Sequence, residues 1–209
     1  MKKILDESSL YVITTEPDKD STFEQMVENA IIGGADIVQY RDETSRSDAE
    51  KLEIIKSLKK VTKKYSIPFI VNNRVDLAVI ARADGIHVGQ DDIPVYEIKK
   101  NYKDFIVGVS THSLEQARTA EKQGADYIGI GPVFETPAKP AYKAIGIQTV
   151  VEVFKNISIP AVCIGGINES NIDMLIEKKI NRIAAVRAVC GAQNIKSSAK
   201  RFKDKLKKR

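Results

Sequence analysis

Eight short runs rich in valine and isoleucine recur along the chain, and each is followed by a longer stretch in which apolar residues return at helical spacing. The runs occupy residues 11–14, 37–40, 69–72, 85–88, 106–110, 127–131, 161–164 and 182–186. Short apolar runs of this kind are typical of parallel strands that are buried on both faces. Eight strand–helix units predict an α/β protein, a single-domain TIM (β/α)8 barrel over residues 1–209, near the lower size limit of that fold.

The segments between these runs carry signals for where helices begin and end. Ser21, Ser47 and Ser113 each stand three residues before Glu or Gln, which is the capping-box pattern of a helix start. Gly-Ala-Asp triplets at residues 34–36 and 124–126 stand directly before strands, as short helix-to-strand turns do. The first strand-to-helix turn has no GxGxxG motif, so we favour a barrel over an open doubly wound sheet.

The net charge of +5 comes from one end of the chain. Residues 194–209 contain eight basic residues and one acidic residue, which leaves a net charge of −2 on residues 1–193. A protein that binds along nucleic acid needs Lys and Arg spread over a folded surface, so we expect no nucleic-acid partner. The basic segment instead predicts a final helix with a solvated face and a buried stripe formed by Ile195, Ala199, Phe202 and Leu206.

Simple counts argue against several other classes of protein. No apolar run approaches the roughly 18 residues of a membrane span, and the first residues lack the apolar core of a signal peptide. We therefore expect a cytoplasmic protein with no membrane partner. Cys163 and Cys190 form no CxxC motif and are expected to be buried free thiols. Because the chain has two histidines, a histidine-rich metal site is impossible.

Polar residues cluster directly after the predicted strands. In a parallel barrel these positions converge at the C-terminal face, where barrel enzymes keep their active sites. Some residues of such loops only cap helices, so a structural role is the alternative for each of them. The candidate site residues are Gln39, Arg41, Asn72, Asn73, Asp92, Ser110, His112, Thr136, Lys139, Gly166, Val186 and Arg187.

Three groups of these residues indicate anion and metal binding. Gly165 and Gly166 follow the seventh strand, where backbone N–H groups bind phosphate in many barrels, and a tight turn is the alternative. Asp92 belongs to a Gln-Asp-Asp sequence whose hard oxygen atoms suit Mg²⁺, and a helix cap is its alternative. Arg41 and Lys139 are either anion clamps at the mouth of the barrel or surface charge.

Nucleophilic catalysis has less support. Ser110 lies two residues before His112, but there is no GxSxG elbow and nothing marks an acid that would orient the imidazole. His87 lies within an apolar run and is expected to be a core or wall residue. His112 is either an acid or base in the pocket or a helix-capping residue.

Six sequence blocks occur in order along the chain, namely VQYRD (38–42), VNNRVDLA (71–78), ADGIHVGQDD (83–92), GVSTHS (108–113), GADYIGIGPVFETPAKP (124–140) and IGGI (164–167). In this order and spacing they resemble the thiamine phosphate synthase family over nearly the whole chain. The resemblance implies a TIM barrel that joins a hydroxymethylpyrimidine diphosphate to a thiazole phosphate and releases pyrophosphate, with Mg²⁺ as cofactor. In that chemistry the C–O bond breaks early, and the thiazole nitrogen captures the pyrimidine cation.

The same resemblance implies roles for the candidate residues. The pyrimidine diphosphate would be held by Gln39, Arg41, Asn72, Ser110 and Lys139. Of these, the catalytic residues would be Arg41, Ser110 and Lys139. Mg²⁺ would be bound by Asp92 together with Asn73. The thiazole phosphate would be bound by Thr136, Gly166, Val186 and Arg187.

The chain departs from the family pattern at four places. It has Glu43 in place of a lysine, Asn73 in place of an aspartate, Ala138 in place of a threonine and Arg187 in place of a serine. Arg187 can still pair with phosphate. Glu43 and Asn73 both weaken the binding of Mg²⁺ and diphosphate, unless Arg46 or Arg74 compensates.

Three functions therefore stay open. The leading hypothesis is an active thiamine phosphate synthase, because most of the implied residues are retained. The second is a thiazole tautomerase-like paralogue, which resembles the synthase, lacks its metal residues and would use His112. The third is a non-catalytic binder of thiamine precursors, which would need neither Asp92 nor Lys139. A homodimer is compatible with a barrel of this size.

Overall fold

The structure is a computed structural model that describes residue 5, residues 7–136 and residues 143–207. Within this part, eight parallel strands form a closed barrel in which the last strand pairs with the first. The strands are β1 (Leu10–Ile13), β2 (Ile37–Tyr40), β3 (Phe69–Asn72), β4 (Gly85–Val88), β5 (Ile106–Thr111), β6 (Tyr127–Ile130), β7 (Ala161–Cys163) and β8 (Ile183–Ala185). The predicted TIM barrel is confirmed, and each strand end lies within one residue of its expected position.

Helices surround the barrel in the described residues. They are α1 (Phe23–Ile32), α2 (Asp48–Lys64), α3 (Val75–Ile80), α4 (Val95–Asn101), α5 (Leu114–Lys122), α6 (Gly146–Asn156), α7 (Ile172–Ile176), α8 (Arg187–Cys190) and α9 (Ile195–Lys207). Two of them follow β8. The first, α8, has four residues and was not predicted from the sequence, whereas α9 is the expected basic helix.

The predicted capping signals hold for two helices and fail for one. Ser47 and Ser113 cap α2 and α5 as expected. For α1 the prediction of Ser21 is wrong by one residue, because Thr22 is the cap and its Oγ1 accepts the backbone N–H of Gln25 at 3.2 Å. The Ser21 hydroxyl instead donates to a carbonyl of the preceding turn.

Alternate residues of each strand point into the barrel or out towards the helices. The outward side chains join the helices in the large hydrophobic core, and the inward ones form a smaller cluster inside the barrel. Gly108 of β5 also faces inward. A Cβ atom at Gly108 would lie 2.0 Å from the ring of Tyr127, so glycine at this position leaves the space that the ring occupies.

The N-terminal end of the barrel is fastened by a repeated arrangement of carboxylates. Asp36, Asp84 and Asp126 stand directly before β2, β4 and β6, and each accepts a backbone N–H from the start of the preceding strand. Each carboxylate also pairs with a helix lysine, and these lysines are Lys203, Lys59 and Lys99. We call these three carboxylates the aspartate latches. They explain the Gly-Ala-Asp triplets of the sequence.

The basic C-terminal segment is built into the fold through α9. Ala199, Phe202 and Leu206 are buried and Ile195 is half-buried, as the helical spacing predicts. Charged residues of the same helix pair with acids elsewhere in the chain, in the pairs Arg201–Glu169, Lys205–Asp173 and Lys203–Asp36. The local excess of Lys and Arg therefore attaches the last helix to the barrel.

Both cysteines are buried and unpaired, as expected. Burial raises the pKa of the Cys163 thiol far above its ordinary value and that of Cys190 to about 12. Both thiols therefore stay protonated and unreactive at neutral pH. In the described part of the chain, no helix combines the length and the apolar composition needed to cross a bilayer.

Candidate active site

The predicted site residues that the structure describes lie at the C-terminal ends of the strands or in the loops that follow them. We call this end of the barrel the mouth. Gln39, Asn72 and Ser110 belong to the strands β2, β3 and β5 themselves. The residues that follow the strands are Arg41, Asn73, Asp92, His112, Thr136, Gly166, Val186 and Arg187, the last of which begins α8. Lys139 and Ala138 lie outside the described residues.

Five polar side chains form a continuous line of hydrogen bonds across the inside of the barrel. Gln39 Nε2 donates to Tyr11 Oη at 2.8 Å, and the Tyr11 and Tyr127 hydroxyls are 2.8 Å apart. Tyr127 Oη is 3.0 Å from His87 Nδ1, and His87 Nε2 is 2.9 Å from Ser110 Oγ. The line thus joins two predicted ligands of the pyrimidine diphosphate, Gln39 and Ser110.

The backbone of Ser110 is held by the neighbouring loop. Gln90, in the loop after β4, donates from Nε2 to the Ser110 carbonyl at 2.6 Å. His87 lies in the wall of the barrel, half-buried between β3 and β5, as its position in an apolar run predicted. Ser110 is therefore fixed both at its backbone and at its hydroxyl.

Arg41 is anchored to the first strand and directed to the mouth. Its backbone N–H donates to Thr14 Oγ1 at 3.1 Å, and the Thr14 hydroxyl donates to its carbonyl at 3.3 Å. The Arg41 guanidinium forms an ion pair with Glu43, the residue that replaces the family's lysine. The arginine side chain is 18% exposed and the glutamate 70% exposed. Any anion that binds Arg41 must therefore compete with Glu43.

The two arginines that could offset Glu43 are themselves paired. Arg46 bonds to Glu16 and Asp42, and Arg74 bonds to Asp48 and to a second aspartate on α3. Each guanidinium therefore already has carboxylate partners. The compensation proposed from the sequence would require these pairs to open.

Asp42 is nearly inaccessible at the edge of this charged region, with a side chain that is 1% exposed. Burial alone would raise the pKa of its carboxyl, but hydrogen bonds from Thr44, Tyr40 and Arg46 outweigh burial and lower the pKa to about 2. The carboxylate therefore remains charged at all ordinary pH values and holds the loop after β2 in place.

Asn73 and Asp92 lie in the loops after the adjacent strands β3 and β4. The backbone N–H of Asn73 donates to the carbonyl of His87 at 2.9 Å, which links these two strand ends. Asn73 has φ +60°, a left-handed conformation that Asn and Asp adopt more readily than other side chains. The replacement of an aspartate by Asn73 therefore preserves the backbone conformation while it removes one charge.

Asp92 has one carboxylate oxygen engaged in its own loop, because Oδ2 accepts the backbone N–H of Gly89 at 2.6 Å. It does not cap a helix, since α4 begins three residues later at Val95. The described residues contain no cluster of three or more His, Cys, Asp or Glu side chains suited to a metal. One carboxylate and one carboxamide nevertheless fit Mg²⁺ in a site where substrate phosphate oxygens and water complete the coordination.

His112 stands directly before the first turn of α5. Its backbone N–H donates to Gln116 Oε1 at 2.7 Å, and its ring Nδ1 contacts the carbonyl oxygen of Gly131. A carbonyl only accepts hydrogen bonds, so Nδ1 carries the proton and Nε2 is the basic nitrogen of the neutral ring. The residue thus contributes to the start of the helix and keeps a defined tautomer.

The turn after β7 packs closely against the loop after β6. Gly165 and Gly166 have φ of +97° and +67°. A Cβ atom on Gly166 would lie 2.6 Å from the carbonyl oxygen of Glu135 and 2.7 Å from Phe134 Cβ, so this turn requires glycine. Directly after the neighbouring strand β8, Val186 is the N-cap of the short helix α8, which begins at Arg187. Loops after the seventh and eighth strands with a short helix are a common phosphate site in barrels.

The sequence reasoning missed Tyr11 and Tyr127. Both lie in apolar runs, and the runs alone mark them only as strand residues. Their inward direction follows from alternation along β1 and β6, and Gly108 marks the space that the Tyr127 ring occupies. A polar aromatic residue that faces inward opposite a glycine was the available signal.

A closed parallel barrel with a polar mouth and a glycine turn suited to phosphate is the architecture of a (β/α)8 enzyme that acts on small phosphorylated molecules. The family model for thiamine monophosphate synthase matches residues 10–189. The chain therefore belongs to the thiamine monophosphate synthase family.

Individual relatives agree with this family. A thiamine-phosphate synthase from Halalkalibacterium halodurans is 42% identical over 203 residues, which cover 96% of each chain. A thiamine-phosphate synthase from Methanococcus maripaludis is 39% identical over 206 residues, which cover 99% of this chain and 98% of that one. The solved thiamine phosphate pyrophosphorylase from Pyrococcus furiosus has a TM-score of 0.88 at 34% identity and covers 97% of both chains.

Proposed function

We infer that this chain is a thiamine phosphate synthase. It is a transferase that joins 4-amino-2-methyl-5-(diphosphooxymethyl)pyrimidine to a thiazole phosphate and releases pyrophosphate. The observation that carries this conclusion is the full-length similarity to curated thiamine-phosphate synthases, at 42% and 39% identity. The tautomerase-like and non-catalytic alternatives are not favoured, because these relatives are synthases and Asp92 is retained.

The first assignment concerns the pyrimidine substrate. We assign binding of the pyrimidine diphosphate to Gln39, Arg41, Asn72, Ser110 and Lys139. Arg41 and Ser110 supply a cation and a hydroxyl that can contact the departing diphosphate, and Lys139 adds a second cation. Such groups stabilise the charge that develops as the C–O bond breaks. A site that breaks a bond by stabilising its leaving group needs no protein nucleophile, which agrees with the absence of a GxSxG elbow.

The metal and thiazole sides complete the assignment. Asp92 and Asn73 would hold Mg²⁺, which when bound neutralises part of the negative charge on the diphosphate. Thr136, the Gly166 turn and the start of α8 at Val186 and Arg187 would hold the thiazole phosphate. With its phosphate held at the loops after β7 and β8, the thiazole ring would reach from there towards the pyrimidine.

The test is product formation from the two phosphorylated precursors with Mg²⁺. The purified protein should release pyrophosphate and form thiamine phosphate, identified by mass and by its oxidation to a fluorescent thiochrome phosphate. A synthase that is known to be active serves as the positive control. If that control forms product and this protein does not, the inferred function is wrong.

Assembly and location are further proposals. We propose a homodimer, because Ile80, Ile93 and Tyr96 expose large apolar surface on or next to α3 and α4. Light scattering after gel filtration measures the mass directly, and a monomer at all concentrations would contradict the proposal. A cytoplasmic location is proposed because both substrates are charged biosynthetic precursors, and cell fractionation tests it.

A further inference from the structure

The buried hydrogen-bond line inside the barrel has a defined direction. We call Gln39, Tyr11, Tyr127, His87 and Ser110, together with the bonds that join them, the interior relay. Tyr11 and Tyr127 are 3% and 1% exposed and Gln39 is 2% exposed, so bulk water does not replace these bonds. Each hydroxyl has one hydrogen to donate, and this limit determines which atom donates at every step.

The direction starts at Gln39. Its Nε2 donates to Tyr11 Oη, so the Tyr11 oxygen is an acceptor there. In the described part of the chain the other polar contact of the Tyr11 hydroxyl is Tyr127 Oη, which must therefore receive the Tyr11 hydrogen. Otherwise a buried hydroxyl hydrogen would lack an acceptor, at a cost of about 1 to 3 kcal/mol.

The same reasoning continues to the far end. Tyr127 accepts from Tyr11 and donates its own hydrogen to His87 Nδ1. An imidazole whose Nδ1 accepts carries its proton on Nε2, so His87 donates from Nε2 to Ser110 Oγ. The hydroxyl hydrogen of Ser110 is then left to donate to a group at the mouth.

Both tyrosines remain neutral donors. Burial, the largest contribution, raises the pKa of Tyr11 and of Tyr127 well above the ordinary phenol value. The two phenols therefore keep their hydrogens over the whole working pH range of an enzyme. Its direction is set by hydrogen-bond geometry and does not depend on the titration of a phenol.

This direction matches the chemistry of the pyrimidine substrate. A diphosphate offers only acceptor oxygens, and a serine whose lone pair is already occupied by His87 presents a donor to them. At the other end, an amide whose nitrogen is bound to Tyr11 presents Oε1 as an acceptor, which suits the 4-amino group of the pyrimidine. The two ends of the relay thus complement the two ends of one molecule.

We propose that Tyr11, Tyr127 and His87 are positioning residues that orient the Gln39 amide and the Ser110 hydroxyl for the pyrimidine diphosphate. The substrate assignment rests on the proposed function, whereas the direction of the relay rests on the structure alone. Substrate does not contact the two tyrosines in this proposal. They act through the residues at the two ends.

The direction is tested by the tautomer of His87, without any substrate. In protein labelled with ¹⁵N-histidine, long-range proton–nitrogen correlation at pH about 8 distinguishes the Nε2–H form from the Nδ1–H form. Only two histidines are present, and a His112→Gln variant assigns the signals. We expect His87 as the Nε2–H form and His112 as the opposite form. An Nδ1–H form of His87 would show that the relay runs the other way and would overturn the proposal.

The positioning role is tested by Tyr127→Phe, which removes one hydroxyl and keeps the ring opposite Gly108. Without this hydroxyl His87 no longer directs the Ser110 hydrogen to the charged diphosphate. We therefore expect kcat/KM for the pyrimidine diphosphate to fall at least about tenfold, while KM for the thiazole phosphate stays within about twofold. In a Ser110→Ala background, Tyr127→Phe should lower kcat/KM for the pyrimidine diphosphate much less, because one end of the relay is already missing.

Controls separate this role from a loss of folding. Tyr65→Phe removes a tyrosine hydroxyl that bonds to Glu28 on the outer helices, and it should leave both kinetic constants unchanged. Tyr11→Phe breaks the relay one bond earlier and replaces Tyr127→Phe if that variant does not fold. Wild-type kinetics in the tyrosine variant, or an equal loss for both substrates, refutes the positioning role. If the wild type forms no thiamine phosphate, the proposed function fails, and the histidine measurement still tests the relay.

Discussion

The ion pair between Arg41 and Glu43 leads to the sharpest test of the anion site. Replacement Glu43→Gln keeps the size of the side chain and removes its charge, so the Arg41 guanidinium is released for the diphosphate. Replacement Glu43→Lys restores the charge of the family pattern. We expect KM for the pyrimidine diphosphate to fall in both variants, with the larger fall for lysine.

The size of the effect follows from the exposure of the pair. Glu43 is 70% exposed and Arg41 is 18% exposed, so solvent screens most of their attraction. Exposed ion pairs contribute about 0.2 to 1 kcal/mol. Because 1.4 kcal/mol corresponds to a tenfold change, Glu43→Gln should lower KM by no more than about fivefold. The added cation of Glu43→Lys should extend the fall to about tenfold.

The assay is steady-state kinetics with the pyrimidine diphosphate varied and the thiazole phosphate saturating. Glu53→Gln is the matched control, because it also removes one exposed acid from an ion pair, here with Lys56 on the surface of α2. This control should leave KM unchanged. The reasoning is refuted if Glu43→Gln and the control Glu53→Gln change KM equally, or if Glu43→Lys leaves KM at the wild-type value. The effect should also shrink at high salt.

Three further predictions concern stability and metal binding. Asp84→Ala removes a carboxylate that accepts from Phe69 N at 2.8 Å and pairs with Lys59. This variant should lower the free energy of unfolding in urea by about 3 kcal/mol. Asp84→Asn keeps an acceptor and should lower it by about 1 kcal/mol. Equal losses in the two variants would show that a neutral acceptor at this position contributes nothing to the latch. Because the pKa of Asp42 is lowered to about 2, its contribution of about 2 kcal/mol is present above pH 4 and lost as pH falls towards 2. An Asp42→Asn variant should lack this part of the acid destabilisation, and acid titrations that run parallel to wild type would contradict it. Asp92→Ala should abolish turnover at every Mg²⁺ concentration, and an unchanged rate would exclude Asp92 as a metal ligand.

The strands of this fold were predictable from the sequence because each is a compact apolar run between polar turns. The helix α8 was not, since four residues from Arg187 to Cys190 are too few to show a helical period. The start of α1 was misplaced because Ser21 and Thr22 are adjacent and both can cap a helix. The local sequence pattern therefore shows that a helix starts here. Which of the two residues caps it depends on how the preceding loop packs.

The position of the candidate site was also predictable, because strand order alone brings the strand ends together. The partners of its residues were not. The pair of Arg41 and Glu43 depends on the path of a loop, and the contact between Tyr11 and Tyr127 joins residues that are 116 positions apart. Such contacts depend on the register of several strands at once, which no local pattern contains.

The latch at Asp36 has a consequence for how the protein is made. Its lysine, Lys203, lies 167 positions after Asp36 in the sequence, yet it neutralises the carboxylate that fastens β1 to β2. Synthesis on the ribosome runs from the N-terminus, so β1 and β2 are made long before α9. The Asp36 carboxylate at their junction therefore has no Lys203 partner until α9 has been made. The junction between β1 and β2 is therefore complete only after α9 has left the ribosome.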